Sequence, residues 1–170
     1  MSLTRSWLVA CLLVCSCTGG KDGGGGGGID SGSGSNAALV ACVTETNRLR
    51  TTVPPPGTGA PRPAVTESAQ LEAYAAVGAM YDFTNGPHAH FEATQGGGIA
   101  FAENECPVQD NWMLPAGGDM SALVVQCVDA FYAEGPGGGH YDNMMGNYGT
   151  LGCGTYQMGT GVTIVQDYGM

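Results

Sequence analysis

Four cysteines, Cys42, Cys106, Cys127 and Cys153, stand singly along the C-terminal four-fifths of this 170-residue chain. No two of them form a C-x-x-C pair, the spacing a four-thiolate zinc centre favours. An even set of scattered cysteines in an exported chain predicts two disulfides, and two such bonds restrict which segments can be neighbours. Four cysteines allow three pairings, and the spacing does not choose among them.

Export is itself legible at the N-terminus. One basic residue, Arg5, precedes the apolar run from Trp7 to Val14, as in a signal peptide, and that run is too short to span a bilayer. It ends Val14-Cys15-Ser16-Cys17, which resembles a bacterial lipobox, so residues 1–17 read as leader and lipobox with Cys17 as the lipidated residue. Cys15 follows the bulkier Val14, and a cut before Cys11 would leave almost no hydrophobic region. An ordinary secretory signal with incidental cysteines is the alternative. Residues 18–36 include the six consecutive glycines Gly23 to Gly28 and a Gly/Ser tract. They carry too little apolar surface to offset the entropy of ordering them and read as a tether. The expectation is a lipid-anchored protein of the bacterial cell envelope, attached to the membrane through its lipid.

Residues 37–170 have the length of one small domain. Their basic side chains are Arg48, Arg50 and Arg62, against thirteen carboxylates. Nucleic-acid binding is excluded, because nothing here neutralises a row of phosphates. Residues 37–50 predict a first helix, stopped by Pro54-Pro55-Pro56, and a second is expected from a cap at Thr66 through Leu71, Ala75 and Ala79 to about Phe83. The clearest helix spans 119–134, where Met120, Leu123, Val124, Cys127, Val128 and Phe131 form one stripe with Glu134 at its edge. Residues 150–157 and 162–168 predict two strands around the turn Met158-Gly159-Thr160-Gly161. Helices followed by a strand pair give an α+β domain with a helix-covered sheet.

Four segments then carry a family resemblance. Asn47-Arg48-Leu49-Arg50 is similar to the N-x-x-R that closes the first helix of the CAP superfamily, the cysteine-rich secretory, antigen 5 and pathogenesis-related proteins. Leu71 to Ala75 repeats the family's L-x-x-x-A, and Ala102-Glu103-Asn104 resembles its G-E-N with Ala in place of Gly. Gly139-His140-Tyr141-Asp142-Asn143 resembles G-H-[YR]-x-[QN], and Leu151-Gly152-Cys153-Gly154 stands where the family carries V-G-x-G. The chain departs from many relatives in having Phe131 where they have Trp, and in lacking a closing C-x-Y-x-P. The resemblance implies a three-layer α-β-α sandwich, with helices around a small antiparallel sheet.

It also implies a cavity tetrad of two histidines and two carboxylates, matched here by His90, Glu103, Glu134 and His140, with His88 as the alternative first histidine. His90 and His140 would then ligate zinc or another divalent metal, and each glutamate could fix a ring tautomer. Ser68 and Ser121 lie near helix starts, where capping explains them. Three classes stay open: a non-enzymatic module that binds lipid, glycan, metal or envelope protein; a metal-dependent hydrolase or protease in which Glu103 and Glu134 would be catalytic; and a structural envelope protein.

Overall fold

The computed structural model describes residues 33–52 and 59–170. The expected leader 1–17 with Cys17, most of the tether 18–36 and the Pro54-Pro55-Pro56 stop lie outside the described residues. Among the described residues no helix is long and apolar enough to cross a membrane.

Helix α1 (Ser33–Thr51) starts four residues before the expected 37. Its inner face buries Ala38, Cys42, Thr46 and Leu49. The Asn47 amide donates to the Val65 carbonyl at 2.9 Å and accepts from the Val65 N–H at 2.8 Å, as a strand neighbour would. Arg50, 1 % exposed, donates to the carbonyls of Pro63, Met144, Gly146 and Tyr148. The N-x-x-R segment thus gathers two segments, 63–65 and 144–148, onto the end of one helix. A buried cation met by carbonyl dipoles satisfies them all, with no carboxylate needed.

Thr66 is not a helix cap. Thr66–Glu67 forms a short strand, β1, and Ser68 takes the capping role, its hydroxyl accepting from the Leu71 N–H. Both residue types cap well; what decides is that β1 pairs in parallel with β3 (Thr150–Met158), Thr66 opposite Thr150. Helix α2 (Ala69–Asn85) follows and buries Leu71, Ala75, Gly78, Ala79 and Asp82. Short α3 (Ala89–Thr94) leads to β2 (Ala102–Cys106), a strand with all five residues buried that the residue pattern did not announce. Helix α4 (Met120–Ala133) carries the expected stripe, capped by Asp119, which accepts from the Ser121 N–H at 2.9 Å. Ser121 is therefore in the first turn and is not the cap. Helix α5 (Gly139–Met144) precedes β3, and β4 (Gly161–Gly169) closes the chain.

The sheet order is β1-β3-β4-β2, with β2 and β3 antiparallel to β4. It is mixed: β1 joins in parallel at the edge of the expected small antiparallel sheet. Helices α1, α4 and α5 cover one face and α2 with α3 the other, giving three layers.

The two faces are fastened differently. Cys42–Cys153 ties α1 to β3, and Cys106–Cys127 ties the end of β2 to α4, so both disulfides bind the α1/α4 layer to the sheet. On the opposite face β3 presents Gly152 and Gly154, and the α2 backbone lies directly on them. A Cβ on Gly152 would fall 2.2 Å from the Leu71 carbonyl carbon, and one on Gly154 2.2 Å from that of Ala75. In L-G-C-G, alternation sends Cys153 to the bonded layer and the two glycines to the close-packed one.

Candidate functional site

His140 occupies the first turn of α5, immediately after the glycine-rich break that ends α4. Glu134, the C-terminal cap of α4, turns back to it: Glu134 Oε2 accepts the His140 N–H at 3.0 Å, and Oε1 lies 2.5 Å from His140 Nδ1. The ring packs on Phe131, centroids 4.7 Å apart. Burial works against ionisation of Glu134, but the bonds from His140 win and hold its carboxyl below the ordinary value.

Facing it across the cleft is His88, whose ring centroid lies 6.3 Å from that of His140. His88 caps α3 in the left-handed region (φ 59°), a conformation a non-glycine residue holds only when its surroundings impose it. Here Glu105 Oε2 accepts the His88 N–H at 2.6 Å, while Nδ1 lies 2.8 Å from Glu103 Oε1. The bond to Glu103 raises the His88 pKa against the opposing effect of burial. Ligand atoms of His88, Glu103 and Glu105 all lie within 4.8 Å of one another. The two histidines are thus held alike. Against an ionised carboxylate, which only accepts, a neutral ring carries its proton on Nδ1 and keeps its lone pair on Nε2.

The tetrad geometry therefore contains His88 in place of His90. Asn85-Gly86-Pro87 turns the chain so that His88 enters the cleft, and His90, in the first turn of α3, points back under α2. Its ring stacks near Tyr74 at 4.6 Å, and its N–H goes to Asp82 Oδ1 at 2.7 Å. Of the other expected residues, Glu103 pairs with His88 and Glu134 with His140.

Asn104 and Asn143 register the two halves. Asn104 donates to the His140 carbonyl at 3.0 Å, and Asn143 donates to the Glu103 carbonyl at 3.0 Å and to Asn104 Oδ1 at 3.1 Å. The asparagines of the A-E-N and G-H-Y-D-N segments thus clamp α5 to β2 and fix the distance between the histidines.

Behind the cleft, between α2 and the sheet, lie Asp82, Glu103, Glu105 and Asp167, each at most 5 % exposed. Glu103 and Glu105 project from one face of β2, and Asp167 is opposite Glu103 on β4. Burial, reinforced by neighbouring carboxylates, pushes Asp82 up to about 6, Glu105 to about 7 and Asp167 to about 9.

No family profile matches the chain, and no curated protein does. Solved structures do. "Crystal structure of NaASP2 with Zn2+" superposes with a TM-score of 0.57 at 18 % identity, covering 81 % of this chain and 82 % of that one. "Crystal Structure of Na-ASP-1" gives 0.53 at 16 % identity over 89 % of this chain, which spans 43 % of that protein. Both are CAP superfamily proteins, and the fold of this chain is the α+β fold of CAP type.

Proposed function

We propose that this protein is a CAP-type binding module, displayed on the bacterial envelope by a lipid on Cys17, whose cleft binds a divalent metal such as zinc through His88 and His140. The observation that carries the reading is the matched pairing of the two rings. Each imidazole gives Nδ1–H to a glutamate, the arrangement that orients a metal-ligating histidine and makes its Nε2 more basic. Two imidazoles on one zinc at about 2.0–2.1 Å hold their ring centres about 5–6 Å apart. The observed 6.3 Å is within a side-chain rotation of that distance. NaASP2 was crystallised with Zn2+, which supports the choice of ion. Binding is favoured over hydrolysis because Glu103 and Glu134, the candidate general bases, already accept hydrogen bonds from histidine. When bound, the ion would supply a positive centre with open positions for an acidic or carbonyl-bearing ligand on a lipid, glycan or envelope protein.

Calorimetry on the purified protein should find one zinc per chain, with His88→Ala or His140→Ala lowering affinity at least about tenfold and His90→Ala changing it little. Because a ligating imidazole must be neutral, affinity should fall as pH drops through the histidine range, near about 6.5 for a free ring. The raised His88 pKa moves the onset of that loss to higher pH. Equal zinc binding by wild type and both cleft variants would reject the site.

Anchoring has its own test. Fatty-acid labelling in the native host should mark the wild type and disappear in Cys17→Ala. Label that persists in the variant would move the anchor to another residue.

A further inference from the structure

Three uncharged segments meet at one end of the molecule. Arg50 reaches the Tyr148 carbonyl ahead of β3 and Cys42 is bonded to Cys153 within it, so α1 runs against β3 and begins toward the Met158 end of the sheet. The turn joining β3 to β4 is at that end. Residues 112–114 lie beside it: the Trp112 carbonyl accepts the Val162 N–H at 3.0 Å, and the Leu114 N–H donates to the Thr160 carbonyl at 2.7 Å. Residues 33–44, 111–118 and 155–163 contain no charged side chain.

Two thioethers stand out there. Met113 is 43 % and Met158 58 % exposed, and both are paired with Gly161, one from each side. Paired residues face the same way, so both methionines project from one face of the sheet, with Phe83 over the glycine between them, 3.3 Å from where its Cβ would be. Exposed thioethers grouped around an aromatic ring suit a surface that is covered in use. The carboxylates flanking residues 111–118 are Asp110 and Asp119, so a basic surface patch that would seek anionic headgroups is missing from these segments.

The start of α1 indicates what covers the patch. Residues 18–32 separate Cys17 from α1, and a Gly/Ser-rich linker of about 15 residues spans about 20 Å on average. A lipid on Cys17 therefore brings this end of the domain to the bilayer first. Phe101 and Met170 are also exposed, but they lie at the other end of β4, about 27 Å further along the strand.

We propose that the end of the domain bearing Met113, Met158 and Phe83 docks on the zwitterionic surface of the bilayer that holds the Cys17 lipid, an inference that rests on the anchoring reading above. The lipid supplies attachment and the patch supplies orientation. Asp167 is six residues from Gly161 along β4 and opposite Glu103, so docking holds the His88–His140 cleft about 20 Å along the strands from the membrane.

Trp112 is the one tryptophan beyond the expected leader and adjoins Met113, so it reports contact with lipid. The test takes the lipidated protein from its native host into phosphatidylcholine vesicles with or without brominated acyl chains, and measures flotation and tryptophan quenching together. The wild type should float and be quenched. Met113→Asp with Met158→Asp should float equally but be quenched at least about threefold less, because a carboxylate is costly to carry into an apolar layer. Both methionines are exposed, so these changes leave the core intact, and thermal melts check it. Phe101→Asp with Met170→Asp, at the far end, should be quenched like the wild type. Wild type that floats unquenched, or equal quenching in the Met113/Met158 variant, overturns the docking while the anchor stands. Wild type that does not float overturns the anchor and the docking with it.

Discussion

Replacing both Cys42 and Cys153 with alanine should cost the oxidised protein about 5 kcal/mol, against about 3 kcal/mol for the Cys106/Cys127 pair. The difference comes from the unfolded chain. The first bond closes a loop with a sequence separation of 111 and the second one of 21, and the entropy removed from the unfolded ensemble grows with the logarithm of that length. Losses in the folded state fall on both pairs alike, since all four cysteines are at most 2 % exposed and alanine leaves a small void at either bond. Urea unfolding of both double variants beside the wild type measures the ranking. A larger loss from the Cys106/Cys127 pair would mean that native packing around that bond, and not loop length, sets the scale.

The parts of this fold that could be read from the residues are those whose burial follows a period. The α4 stripe runs from Met120 to Phe131 between its caps Asp119 and Glu134, and the β3–β4 hairpin turns at Gly159 in the left-handed region. Both elements are long enough for a pattern to show. Helices α3 and α5 have six residues each, too few for a 3.6-residue period, and β1 has two. Strand β2 was hidden for another reason. Its sequence, Ala-Glu-Asn-Glu-Cys, reads as a polar loop, yet every residue is buried, because the acidic face meets Asp82 and Asp167 where apolar side chains would ordinarily stand.

The site divides along the same line. Glu103, Glu134 and His140 sit in or beside short segments whose asparagines hold the halves together, and their chemistry is local. Choosing between His88 and His90 depends on a left-handed residue and on a carboxylate, Glu105, that no motif includes. The inner cluster did leave a trace: Asp82 continues the α2 stripe three residues beyond Ala79, and Asp167 shares the inward face of β4 with Val165. A charged residue on an apolar stripe is the signal that marks such a cluster.

Gly154→Ala should be the most damaging single substitution on the α2 face, costing about 3 kcal/mol or more. The added Cβ would lie 2.2 Å from the Ala75 carbonyl carbon, 2.3 Å from its oxygen and 2.4 Å from the Ala76 nitrogen. All three are backbone atoms, so no rotamer change relieves the overlap and α2 must lift as a body. Neither disulfide holds that helix, and its lifting would separate Asp82 from Glu103 and carry the α3 turn with His88 out of line. Zinc affinity should therefore fall together with stability. Gly139→Ala is the control: it lies beside His140, yet a Cβ there meets nothing within 4 Å, and stability should stay within about 0.5 kcal/mol of wild type. Thermal melts and zinc calorimetry on the two variants separate proximity to the cleft from pressure on α2. If Gly139→Ala proved the more harmful, the close contact between α2 and β3 would not be what supports the site.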